Sequence, residues 1–245
     1  MKVKDILDRV TMLYNDTEYI RVPESHYFKF IDDALNQLVL VRPDCHVKTE
    51  IVKLEKGTRQ TLPSDGCALI EIYMNKKKHE DPETMEVSYS NYYPIAHVER
   101  TDLDYFSNWQ TQGTSSKDYI TEFAYEHKSP RIYWVCPYVG NNDVYVEMDY
   151  SYAFPKVSDI APDVDGTWKN AENYDIDIQD IWMGPICNYV LYLLYSTDST
   201  SQNDRQIAQM YLQSFYQSLS MEYQSTDTVI PDVKPQSRVV AGGAA

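Results

Sequence analysis

Cysteine is scarce in this chain and never paired at short range. Cys45, Cys67, Cys136 and Cys187 are the four present, and without a Cys-x-x-Cys spacing they offer neither a zinc site nor a dense disulfide framework. Reduced, buried thiols are the expected state. Glycine is also sparse, at eight residues. None falls in a Gly-x-Gly-x-x-Gly, a phosphate-binding Gly-Lys-Ser/Thr loop or a Gly-x-Ser-x-Gly nucleophile turn, so the common nucleotide and hydrolase signatures are absent. The five histidines, His26, His46, His79, His97 and His127, include no His-x-x-x-His pair, and a metal centre would need the fold to gather them. No metal, cofactor or catalytic residue is expected.

Positive charge is the next shortage. The 22 Lys and Arg against 37 Asp and Glu give a net charge of −15, which argues against holding nucleic acid on a basic surface. There is no apolar run of about 20 residues, so no membrane span is expected. The opening Met1-Lys2-Val3-Lys4-Asp5 leads into an amphipathic stretch, not a secretion signal. Tyrosine, by contrast, is abundant at 22 residues, and its large ring with a polar tip suits interfaces as well as cores.

Periodicity organises what is present. Val3, Ile6, Leu7, Val10 and Leu13 define a first helix, and Tyr27, Phe28, Ile31, Ala34, Leu35, Leu38 and Val39 a second that stops at Pro43. Two more are read over residues 176–223. Ile178, Ile181, Trp182, Pro185, Ile186, Tyr189, Val190, Leu193 and Leu194 mark the first of these, with a kink expected near Asp180 to Ile181 from Gly184-Pro185. Ile207, Ala208, Tyr211, Leu212, Phe215, Leu219 and Tyr223 mark its antiparallel partner.

Between the helix pairs the period falls to two. Strands are expected at residues 47–52, 60–62, 68–74, 85–89, 119–126, 131–136 and 144–152, with hairpin turns at Glu55-Lys56-Gly57-Thr58-Arg59 and Asn75-Lys76-Lys77-Lys78, and a short helix at 103–109. The predicted fold is α+β. N-terminal helices (1–46) and C-terminal helices (176–223) form a four-helix bundle, a small antiparallel β domain (47–154) is inserted, residues 155–175 connect, and residues 224–245 form an extended C-terminal arm.

Three polar groups invite a chemical reading. Asp163-Val164-Asp165-Gly166 has part of a calcium-loop pattern but lacks the remaining ligands, which makes it a turn. Asp175, Asp177 and Asp180 read as caps at a helix start. Lys76-Lys77-Lys78 is the one basic run, either a solvated hairpin tip or a weak phosphate contact. The tail has isolated apolar residues, Val229, Ile230, Pro231, Val233, Val239 and Val240, together with Arg238. It is either a disordered end or an arm that docks on another chain.

Several stretches resemble the head-to-tail adaptor, or connector, proteins of tailed bacteriophages, particularly short-tailed ones. Leu54-Glu55-Lys56-Gly57-Thr58-Arg59-Gln60-Thr61-Leu62-Pro63-Ser64-Asp65-Gly66 resembles their Gly-Thr-Arg-Gln-x-Leu-Pro turn and follows a helix ending Leu40-Val41-Arg42-Pro43-Asp44. Ile132-Tyr133-Trp134-Val135-Cys136-Pro137 is similar to their aromatic strand, and residues 181–192 to their third bundle helix. Where family members often carry a tryptophan before the second helix, this chain has Ile20-Arg21-Val22.

The resemblance implies a dodecameric virion ring beneath the portal protein in the neck, with tail or nozzle proteins attached below and double-stranded DNA passing through without specific binding. Val229, Ile230, Pro231, Val233, Arg238, Val239 and Val240 would contact the portal or a neighbouring subunit, and Lys76, Lys77 and Lys78 the tail. Two other readings stand beside it. A tail-associated peptidoglycan hydrolase would need a carboxylate pair that nothing in the sequence selects. A tyrosine-rich host-surface glycan-binding module would use stacked rings.

Overall fold

The computed structural model describes residues 1–82, 84–104, 109–110, 117–164, 166–197 and 202–229, from residue 221 onward as backbone alone. Its first helix, α1 (Val3–Tyr14), buries Val3, Ile6, Leu7, Val10 and Tyr14. Leu13 is 46% exposed and Tyr14 takes the inward place, ahead of the left-handed Asn15 that ends the helix at φ 56°. The second, α2 (Glu24–Val41), buries all seven residues of its expected stripe.

The β region is larger than the sequence implies. In chain order it runs through β1 (Val47–Lys53), β2 (Gly57–Thr61), β3 (Gly66–Glu80), β4 (Val87–Pro94), β5 (Ala96–His97), the short helix α3 (Arg100–Asp104), β6 (Glu122–Tyr125), β7 (Ile132–Val139) and β8 (Tyr145–Tyr152). These form two four-stranded sheets, in the orders β1-β8-β3-β4 and β2-β7-β6-β5, antiparallel except for the β5/β6 pair. The sheets share a core that includes Ile72, Phe123, Tyr133, Val135, Val146, Met148 and Tyr150. Each such side chain contributes about 1.5–3 kcal/mol by leaving water. A smaller cluster of Leu103, Trp109, Ala124 and Trp134 lies apart from that core.

After β8 the chain returns through a 3-10 turn at Val157–Asp159 and α4 (Lys169–Glu172) to α5 (Met183–Thr197) and α6 (Gln202–Val229). Asp32 of α2 fixes this return: its carboxylate, 7% exposed, accepts the amides of Val157 at 2.7 Å and Ser158 at 3.1 Å.

The class is α+β, but a four-helix bundle carrying a small β insert is not what forms. Two complete sheets make up the middle of the chain. The helices are arranged around α5, on which α1, α2 and α6 each pack. Period identified the helices, but could not say that one of them would be the common neighbour of the rest.

Five local expectations are also corrected. Residues 55–59 are not a hairpin turn: β1 pairs with β8 and β2 with β7, so the chain crosses from one sheet to the other there. Gly57, at φ 115°, makes that crossing in a conformation side-chain-bearing residues avoid. Residues 75–78 are not a turn but part of the 15-residue β3. The kink near Asp180 is absent because α5 starts at Met183, after a 3-10 turn at Asp180–Trp182. Pro185 then lies in the first turn, where its missing N–H has no intrahelical partner to lose. Asp175, Asp177 and Asp180 precede this helix instead of capping it. The sequence reading starts the arm at residue 224, whereas α6 runs on to Val229.

Candidate assembly surfaces

The motif residues that looked most specific in sequence build joints. Gln60 is 2% exposed; its side-chain amide donates to the Glu55 carbonyl at 2.7 Å and accepts the Glu55 amide at 2.8 Å. A further bond to the Gly57 carbonyl, at 3.3 Å, closes the loop between the sheets. In Arg42-Pro43-Asp44, Arg42 grips the Asp44 carboxylate with two bonds, of 2.9 and 2.7 Å, which hold its pKa below the usual carboxylate value. The same guanidinium donates to the Leu219 carbonyl of α6 at 3.2 Å and lies 5.4 Å from the centre of the Trp182 ring. One arginine therefore ties the end of α2 to α6 and to the 3-10 turn that leads into α5.

His46 stacks between Tyr152 and Phe154, with ring centres 3.8 and 3.7 Å away, and its Nδ1 sits 3.0 Å from the Tyr152 carbonyl. That partner can only accept, so Nδ1 carries the proton. Burial depresses the pKa of this imidazole, although the carbonyl works in the opposite direction. A depressed folded-state pKa means that the unfolded chain takes up the proton first. The stabilisation is complete above about pH 6.5, the unfolded value, and is lost as pH falls through the folded value. Melting temperature measured across this window should fall with pH in the native protein and less steeply in His46→Phe, which keeps a stacking ring without a titrating group.

Other polar candidates are absorbed by the fold. Asp163 receives the Asn170 backbone amide at 3.3 Å and its side-chain amide, and its own carbonyl accepts from Gly166 at 2.8 Å, as in a closed turn. Among the described residues no group of three or more His, Cys, Asp or Glu could hold a metal ion. Burial raises all four thiols, Cys45 to about 12 and Cys187 to about 11, so none is poised as a thiolate. No helix among the described residues is long and apolar enough to cross a membrane.

The sequence-predicted contact residues fall in two places. Val229 is the last residue of α6; Ile230, Pro231, Val233, Arg238, Val239 and Val240 lie outside the described residues. Lys76, Lys77 and Lys78 stand on β3, each beside a carboxylate: Glu147 at 3.0 Å, Asp118 at 3.6 Å and Glu80 at 3.4 Å.

Those lysines belong to a surface the sequence reading did not single out, the ribbon in which residues 76–80 of β3 pair with residues 87–91 of β4. β4 forms one edge of its sheet, and seven of its eight residues are exposed. Met85 (71% exposed), Val87, Tyr89 and Tyr93 leave apolar area in water there. An edge strand with open backbone groups and apolar side chains is a template for association. Its signal was available in the alternation Val87-Ser88-Tyr89-Ser90-Asn91.

The chain thus offers joints, a sheet edge and the long helix α6. A comparison with curated proteins finds no match. Residues 1–236, which include every described element, match the family of the SU10 adaptor protein. The chain therefore belongs to the SU10 adaptor protein family, structural adaptors of the bacteriophage head-to-tail junction.

Proposed function

We propose that this protein binds below the portal ring as a dodecamer in the virion neck, joins it to the tail or nozzle, and forms part of the channel through which DNA is retained and ejected. The family match over residues 1–236 carries this reading. The charge of −15 supports it, since an acidic wall repels phosphates and lets a duplex pass without adhering. A short-tailed phage is the source we favour, on the Gly57-Thr58-Arg59-Gln60 turn and its neighbouring motifs.

The C-terminal arm, with Val229, Ile230, Pro231, Val233, Arg238, Val239 and Val240, is the portal-clasping element in this scheme. The β3/β4 ribbon with Lys76, Lys77 and Lys78 faces the tail. An arm of scattered apolar residues gains its buried area only on a partner, which is why it is assigned to the portal. Removing residues 230–245 should leave the circular dichroism spectrum and melting temperature essentially intact while weakening portal binding about 100-fold or more, as judged by co-sedimentation. Undiminished binding would reject the clasp.

A further inference from the structure

We propose that the outward face of α6 is the surface on which one copy of this chain meets the next; the inference rests on the ring reading above. α6 has two stripes on nearly opposite sides. Ala208, Phe215 and Leu219 are buried toward α5. Gln206, Met210, Gln213, Gln217 and Ser220 recur at alternating steps of four and three residues, and all are exposed. That spacing places them in a single seam along the helix, the pattern by which one helix packs lengthwise on another.

The seam carries no charge. Charged residues make up 24% of the chain, yet none occurs from Gln206 to Met221, and none in α5 either. Interface centres are likewise depleted in Lys, Glu and Asp and enriched in Met and Tyr. For copies that each bear −15, most approaches bring like charges together, and burying an unpaired carboxylate is costly. A neutral seam avoids both.

Its polar groups are also undemanding. Ser220 donates its hydroxyl to the helix's own carbonyl at Gln217, at 2.9 Å. Each glutamine carries a donor and an acceptor, so amides of two copies can satisfy one another without regard to sign.

Size predicts how the contact behaves. The uncharged stretch of α6, residues 206–221, is about 24 Å long. A face about 10 Å wide would bury roughly 500 Å² in total, well below the roughly 1,200 Å² of a stable free-standing complex. Copies should associate weakly alone and firmly once a template aligns them.

The test is the double variant Gln213→Glu, Gln217→Glu, which keeps helix propensity and puts two like charges on the seam. Native mass spectrometry would follow limiting amounts of full-length protein added to portal rings. The native protein should fill rings nearly all-or-none. The variant should bind as scattered single copies, with the coupling between neighbours reduced about tenfold or more. Ring filling like that of the native protein would overturn the proposal. So would complete loss of portal binding by a folded variant, which would assign the face to the portal. If the native protein does not bind portal rings at all, the ring reading fails separately. Sedimentation of the chain alone at concentrations on the order of 1 mM would then decide: association weakened about tenfold in the variant upholds the seam, and no association, or equal association, rejects it.

Discussion

Replacing Asp16 by alanine is expected to lower the unfolding free energy by about 3–5 kcal/mol, the range for removing one partner from a buried charged network. Asp16 is 4% exposed and organises the turn between α1 and α2. Its Oδ1 accepts the amides of Ile20 at 2.8 Å and Arg21 at 3.0 Å, and its Oδ2 accepts the Val22 amide and the Tyr27 hydroxyl, both at 3.0 Å. Alanine would strand these donors in a region packed by Tyr14, Val22 and Tyr27.

Burial pushes the Asp16 pKa up, but the four donors together outweigh it and hold the group below its usual value. The corresponding stabilisation is therefore present above about pH 3.9, the unfolded value, and is lost as pH falls through the folded value. Chemical denaturation at neutral pH measures the first effect. A smaller difference between native and variant proteins at acid pH checks the second. An Asp16→Ala protein as stable as the native one at neutral pH would refute this account of the turn.

Asn75→Leu is the second large effect, expected to cost about 3 kcal/mol from buried partners left unpaired. Asn75 has no exposed surface. Its amide donates to the carbonyls of Tyr93 at 2.9 Å and Ile120 at 2.8 Å, and its oxygen accepts the Ile120 amide at 2.9 Å. It therefore joins β3, the end of β4 and the approach to β6. Lys76, the next residue, is the first of the 76–80 stretch that pairs with β4 residues 87–91. Loss of this anchor should free the ribbon before the two sheets come apart. Limited proteolysis should cut between residues 76 and 94 faster than in the native protein, while the unfolding midpoint falls. A stability loss without faster cleavage there would show that Asn75 supports the core but does not anchor the ribbon.

These two residues show what sequence could and could not convey. The stripe from Tyr27 to Val39 was legible because a 3.6-residue period needs only local spacing, and every member is buried. Asn75 reads as a turn former beside three lysines; only the long β3, paired with both β8 and β4, makes it a buried cross-link. Likewise Gly57 followed by Thr58 and Arg59 has the composition of a hairpin. The partners of β1 and β2 lie in β8 and β7, tens of residues away, and no local pattern encodes such pairings. Pro185 signals a kink or a helix start equally well, and which applies depends on where the preceding 3-10 turn ends.

The proposed arm rests on apolar residues read from the sequence alone, since residues 230–245 lie outside the described residues. The edge strand was under-read because Val87, Tyr89 and Tyr93 look like core residues until all are found exposed. The neutral seam of α6 is written openly in the sequence as sixteen residues without charge, 206–221. Its meaning depends on knowing which side of the helix α5 covers.

The adaptor reading is tested most directly by native mass spectrometry of the full-length protein mixed with the portal ring encoded alongside it. The account predicts a discrete complex with one copy of this chain for each portal subunit. Absence of any complex at every salt concentration tried would contradict it.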